Sequence, residues 1–420
     1  MEHTDRKRIG WHEAKLGIKD WNMEEKVMHV MDSPSIHNLV VHADEQMCAT
    51  QNTGRTPVAK HMDLLGEIIS EFIFCEVDRR GGRKRRLNCI QELQLLEVLC
   101  DYFSYSGNSS ETIRNMVFMS LFPPTHSDRS RLLIKLVSMA SSTKNVPVLT
   151  ATGIWMQQLG CTSKFSLDLA QGLVKDYFVL IPKAVSGLQD LPQLAPHFTA
   201  NFLTAVAEMY GVVEKRHIFS PPPDTLLEVI TQWVSDNPTL CLAALLGNLQ
   251  LVLPTGGIPV PAITPFAGLF KWCILAPLHY ASPSNTSDNA TSNHNTLESP
   301  FYSRLHLALL ESLLECYTPS PVLHHTAASG SENIISAQHL ALIAEPINRW
   351  RKELHRMEDE AARIRGETAL QLALDRFAQV IQVALVTHCV YGNMQELFSQ
   401  LEALPENRLL RIVINTHRNL

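Results

Sequence analysis

The spacing of the apolar residues restricts this chain more than any other feature. From about residue 57 onward they recur at intervals of three and four and almost nowhere alternate by two. Leu167, Ala170, Leu173, Val174, Tyr177, Phe178 and Ile181 form one such series, which lies along a single face of an α-helix. No pair of alternating runs is joined by a hairpin dipeptide, so no sheet is expected. The helical stretches are short and separated by Pro- or Gly-marked turns, and short connections make neighbouring helices antiparallel. Helical hairpins in series with no sheet to cover stack upon one another. The expected fold is therefore all-α, an irregular HEAT-like α-solenoid of antiparallel helical hairpins, with no fixed sequence period.

Local signals place the helices. Asn88 stands three residues before Gln91, the spacing of a reciprocal cap, with Ile90, Leu93, Leu96 and Val98 following as an apolar surface. Asn237-Pro238, Thr264-Pro265 and Ser299-Pro300 each put a capping side chain before a proline suited to the first helical position. Pro221, Pro222 and Pro223 form a stiff break before a helix at Leu226–Val234. In Ala281–Ser299, twelve of nineteen residues are Ser, Thr or Asn and none is Lys or Arg, too little apolar surface to offset chain ordering. The expected organisation is a poorly ordered leader at 1–56, a helical-repeat block at 57–280, a flexible loop at 281–299 and a helical block at 300–420.

Composition narrows the function classes. With 36 Lys and Arg against 42 Asp and Glu the formal charge is −6, so sheathing nucleic acid is disfavoured unless charge is clustered. One cluster exists. Arg79, Arg80, Arg83, Lys84, Arg85 and Arg86 surround Gly81 and Gly82, which favour an exposed loop over a helix face. Such a run serves as a nuclear import signal or a polyanion contact, or is a solvated connector. No aromatic residue interleaves it, which disfavours single-strand binding. The nine cysteines include no CxxC pair and read as small hydrophobes in a reducing, intracellular setting. No stretch reads as a signal-peptide core or a membrane span.

The sharpest stripe lies in the C-terminal block, at Leu340, Ile343, Ile347, Trp350, Leu354, Met357, Ala361 and Ile364 among many charges. This heptad pattern fits either of two neighbours. A partner's helix lying along Ile347, Trp350, Leu354, Met357 and Ile364 is one, and the chain's own Leu370-Leu374-Phe377-Ile381-Leu385 is the other and the favoured one. Pro346 is expected to kink or interrupt this helix near its start.

Chemistry is sparse. There is no GxxxxGK[ST] loop, no GxGxxG after a strand, no GxSxG elbow and no HExxH. His324-His325 are adjacent on a polar stretch, which does not make a metal site, and Gly256-Gly257 read as a turn. No convergent set of ionisable groups can be named, so neither an enzyme nor a cofactor or metal is expected.

Arg86–Phe103 (RLNCIQELQLLEVLCDYF) resembles the signature helix of the Integrator complex subunit 15 family. The likeness continues in order through Leu173–Pro182, Asp224–Trp233, Gly268–Leu278, Ser303–Leu307 and Leu374–Ala384, covering about 57–415, with no counterpart recognised for 1–56. The resemblance implies a nuclear, non-catalytic scaffold within the Integrator assembly. Such a subunit contacts other Integrator subunits directly and RNA polymerase II indirectly, with neither membrane attachment nor direct nucleic-acid binding. That assembly cleaves nascent transcripts, including small nuclear RNA precursors, and attenuates transcription. Two other readings are a cytoplasmic HEAT- or armadillo-type cargo adaptor and an RNA-binding helical repeat using the basic loop.

Overall fold

A computed structural model of the chain describes residues 88–104, 111–124, 129–180, 185, 187–210, 220–246, 263–282, 298–317 and 334–418. They are almost wholly helical and fall into two compact units, one reaching Ala140 and one beginning at Ser141.

The first unit holds α1 (Cys89–Ser104), α2 (Glu111–Leu121) and most of α3 (Ser130–Thr143). The reciprocal cap expected at α1 forms: the Gln91 amide donates to Asn88 Oδ1 at 2.9 Å and the Asn88 amide to Gln91 Oε1 at 3.0 Å. The buried face of α1 is only partly the expected one. It consists of Leu95, Leu96, Leu99, Tyr102 and Phe103, while Ile90 and Leu93 in the first turn are exposed. Phe103 meets Phe118 of α2 edge-on at 5.5 Å. Arg129 is buried, and its guanidinium donates to the Ser120 and Leu121 carbonyls at the end of α2. Glu92 of α1 accepts from Arg131 and Lys135 of α3, and the Lys135 bond foremost holds its carboxyl below the usual range.

The second unit is larger. It begins with α4 (Val146–Leu159) and α5 (Lys164–Val174), which continues as a π-helical stretch over Lys175–Leu180. Then come α6 (Leu191–Leu194), α7 (Pro196–Tyr210), α8 (Asp224–Asp236), a 3₁₀ turn at Leu240–Leu242, α9 (Ala243–Leu246), α10 (Phe266–Tyr280) and α11 (Pro300–Tyr317). The chain closes with β1 (Ile335–Ser336), α12 (Ala337–Ala341), α13 (Ala344–Leu354), α14 (Glu360–Val386), β2 (Val390–Tyr391), α15 (Met394–Glu402) and α16 (Arg408–His417).

Two helices organise this unit. Helix α7 packs on α4, α5, α6, α9 and α10, and α10 packs in turn on α11, α12, α13 and α14. Packing extends beyond consecutive hairpins, since α8 pairs with α11 and α10 with α14. The close crossing of α7 and α10 requires a glycine. A Cβ on Gly268 would lie 2.7 Å from that of Ala207, and Trp272 Nε1 donates to the Ala207 carbonyl at 3.0 Å across the same contact. The all-α class holds. Among the described residues the strands amount to one two-residue parallel pair, Ile335 with Val390 and Ser336 with Tyr391.

The proline signals divide. Pro221–Pro223 precede α8 as expected, and α11 begins at Pro300. Asn237 instead ends α8, its side-chain amide donating to the Trp233 carbonyl, and Pro238 enters a turn. Thr264 does not cap α10, because its hydroxyl is drawn away to the Ile334 carbonyl at 2.7 Å. Helix α14, at 27 residues, is long and apolar enough to cross a bilayer by length and composition, which corrects the reading that no stretch is. More than half of its most apolar window is buried inside the unit, against α10, α11, α13 and α16.

Candidate functional site

The basic cluster Arg79, Arg80, Arg83, Lys84, Arg85 and Arg86 lies outside the described residues, as do His324-His325 and Gly256-Gly257. The C-terminal stripe is described and is not one helix. It is divided among α12, α13, a connector at 355–359 and α14. Asp359 starts the new helix by accepting from the Ala361 amide at 3.1 Å. The helical run is interrupted near its start, at Leu342 and Ile343, and Pro346 sits in the first turn of α13, where it removes no intrahelical bond. Ile347, Trp350 and Leu354 are buried, Met357 is half-buried, and Ile364 is exposed at 56%. Trp350 Nε1 donates to the Gly366 carbonyl of α14 at 3.2 Å. Gly366 has no side chain where Leu354 and Trp350 press against α14. The chain's own helix thus takes the buried part of the stripe, leaving only Ile364 of the five well exposed.

A polar centre lies deeper. Arg376 of α14 donates to the Cys273 carbonyl of α10 at 2.7 Å, to Ser303 Oγ of α11 at 2.7 Å and to both carboxylate oxygens of Glu298. Arg376 and Glu298 are both nearly excluded from water. One turn along α14, Gln379 Oε1 meets His306 Nε2 at 2.9 Å, and burial foremost pushes that imidazole down to about 4. The readable signal was a charge at 376 within a face of Ala373, Phe377 and Val380, all buried. Cys161 and Cys241, pushed up to about 12 by burial, are inert small hydrophobes, and Cys89, by contrast with the expected pattern, is exposed.

The outer face carries a cleft of about 210 Å³ where the end of α7, the start of α10 and α12 converge. Thr162, Glu208, Gly268, Lys271, His339 and Leu342 are among its lining residues. Lys271 is half-buried, and burial is the main cause lowering its ammonium below the usual range. Glu208 and Glu345 attract it through space without forming an ion pair with it. Leu342 is 61% exposed. An ammonium, a carboxylate, an imidazole and the apolar Leu342 thus line the same cleft. Among the described residues no group of three or more His, Cys, Asp or Glu is gathered for a metal.

A model of the family described as Integrator complex subunit 15 matches residues 23–406, so the counterpart region begins well before residue 57, earlier than expected. The protein named Integrator complex subunit 15 from Drosophila melanogaster is 36% identical over 365 residues, covering 85% of this chain and 88% of that one. Those of the same name from Mus musculus and Homo sapiens are each 33% identical, covering 83% of this chain and 77% of theirs. With the family model spanning most of its length and relatives above 30% identity matched over most of theirs, the chain belongs to the Integrator complex subunit 15 family.

Proposed function

We propose that this chain is a non-catalytic scaffold subunit of the nuclear Integrator complex. It joins a peripheral module of subunits to the rest of the assembly during RNA polymerase II transcript 3′-end processing, including that of small nuclear RNA, and during transcription attenuation. The observation that carries this reading is the family match, which runs collinearly through residues 23–406 and not through one isolated helix. Its partners are other Integrator subunits, with RNA polymerase II reached indirectly and no direct nucleic-acid or membrane contact.

The interior supports a recognition role. Arg376, Glu298 and Ser303 are engaged with one another, and His306 is engaged with Gln379. These polar groups hold helices in register, leaving recognition to the outer faces, where a few anchors dominate affinity. Quantitative mass spectrometry of proteins co-purified with the tagged full chain from nuclear extract tests the reading. Recovery of Integrator subunits is expected, and their clean absence under mild conditions overturns it. Replacing Arg79, Arg80, Arg83, Lys84, Arg85 and Arg86 with alanine is expected to lower nuclear accumulation. An unchanged nuclear signal with unimpaired partner recovery returns that run to a connector.

A further inference from the structure

Helix α11 keeps one apolar row out of the core. Its inner side, including Tyr302, Leu305, Leu309 and Leu313, is buried where α11 packs on α8, α10 and α14. On the opposite side Leu307 and Leu314 are 59% and 49% exposed, with Leu310 half-buried between them. Intervals of three and four residues align these leucines on one face, over about 10 Å at 1.5 Å per residue. A lone exposed leucine is ordinary. A row of three across two turns is the pattern by which one helix receives another.

The surroundings of the row are acidic. Glu311 and Glu315 stand exposed along one edge. Ser312, further round the same edge, donates to the Pro238 carbonyl just past the end of α8. Asp224, at the start of α8, lies within electrostatic reach of Tyr302 near the start of α11. The two helices therefore run side by side in the same direction, with α8 against the Glu311–Glu315 edge. Asp224, Glu228 and Asp236 are exposed on α8, which contains no Lys, Arg or His. Together α8 and α11 carry five carboxylates and one Lys or Arg, Arg304, whose guanidinium lies over the Phe301 ring at 5.9 Å. Among the described residues no Lys or Arg forms an ion pair with Asp224, Glu228, Asp236 or Glu311.

This imbalance selects the occupant. A nucleic acid or an anionic bilayer is repelled by such a face, and a second copy would bring the same excess of carboxylates against it. An apolar row with an acidic flank is complemented by a helix whose apolar stripe is bordered by Lys or Arg. We propose that the face formed by α8 and α11 docks a basic amphipathic helix of another Integrator subunit. Its apolar residues cover Leu307, Leu310 and Leu314, and its cations lie over Asp236 and Glu311. The proposal rests on the scaffold reading above and deepens it by naming a contact.

The test uses the tagged full chain in cells depleted of the endogenous protein. One variant combines Leu307→Gln with Leu314→Gln, and a second combines Asp236→Lys with Glu311→Lys. All four positions are exposed, so the Tm of the purified chain should stay within about 2 °C of the parent. Quantitative recovery of at least one identified Integrator subunit should fall at least five-fold in each variant. In the otherwise unsubstituted chain, a photoreactive residue at Leu314 should mark a peptide of that subunit with Lys or Arg beside apolar residues at helical spacing. Exchanging those Lys or Arg residues for Glu should restore binding to the Asp236→Lys, Glu311→Lys variant. Full recovery of every subunit by both variants overturns the docking site and leaves the scaffold reading intact. A crosslink to a peptide without Lys or Arg, to a second copy or to the chain itself also overturns it. Failure of the unsubstituted chain to recover any Integrator subunit overturns both.

Discussion

The Arg376–Glu298 pair offers the sharpest test of how the second unit is held together. Glu298 lies just before α11, and its partner projects from the middle of α14. Replacing Glu298 with Gln keeps the shape and removes the charge. The guanidinium then retains the Cys273 carbonyl and Ser303 Oγ but has no counter-ion, with its side chain only 6% exposed. Breaking one side of a buried pair costs about 3–5 kcal/mol, because the remaining charge stays desolvated. For a unit of this size each kcal/mol moves Tm by roughly 2–4 °C, so a fall on the order of 10 °C is expected. Replacing both residues, Glu298→Leu with Arg376→Met, removes the stranded charge and should recover most of the loss. Urea unfolding followed by tryptophan fluorescence is suited to this, since Trp272 stands next to Cys273 on α10 and is fully buried. If Glu298→Gln shifts stability by less than about 1 kcal/mol, or if the double replacement loses as much as the single, the pair is not the fixed internal clamp described here.

Other outcomes follow from the same packing. Gly268→Ala should destabilise by about 1–3 kcal/mol, since its new Cβ meets the immobile Cβ of Ala207, and pairing it with Ala207→Gly should restore the melting temperature. Asn407→Ala should cost about 1–2 kcal/mol, because Asn407 caps α16 through the Leu410 amide at 2.8 Å and reaches Asp375 of α14 at 2.8 Å, read by urea titration. His306 meets Gln379 and Arg376 of α14 and Phe270 of α10, and its folded pKa, near 4, lies below the unfolded value. The unfolded chain therefore binds the extra proton first. The stability from this group is present above about pH 6.5 and is lost as pH falls toward 4, roughly 3 kcal/mol in all. A His306→Gln variant whose melting temperature keeps the same pH slope as the parent would exclude this origin.

What the sequence made legible were the signals acting over a few residues. Asn88 with Gln91, Pro300 at the start of α11 and the proline run before α8 all determine local backbone geometry, and each held. The signals that misled were also local, but a distant group competed for them. Thr264 has the chemistry of a cap, yet the Ile334 carbonyl, seventy residues away, takes its hydroxyl. The apolar period from Leu340 to Ile364 says nothing of the break that Asp359 imposes, after which the buried face passes to Ala362, Gly366 and Ala369 and leaves Ile364 exposed. Helix α5 passing into a π-helical stretch at Lys175 leaves its apolar spacing intact through Tyr177 and Phe178, so periodicity could not reveal it. The long-range pairings of α8 with α11 and α10 with α14 leave no trace in any short window.

Lys271 and Arg376 show where a sequence can still be read for function once the fold is known. Both are cations on largely buried helices, and by composition alone they are equivalent. The surroundings separate them. Arg376 is met by Cys273 on α10 and by Glu298 and Ser303 at the start of α11, so its charge needs no outside partner to be physically reasonable. Lys271 is half-buried at the wall of an open cleft, where Glu208 and Glu345 attract its ammonium without bonding to it. A buried charge must be satisfied by its own fold, whereas a half-exposed one keeps part of its hydration. That difference in surroundings separates a cation that locks three helices together from one that water still reaches.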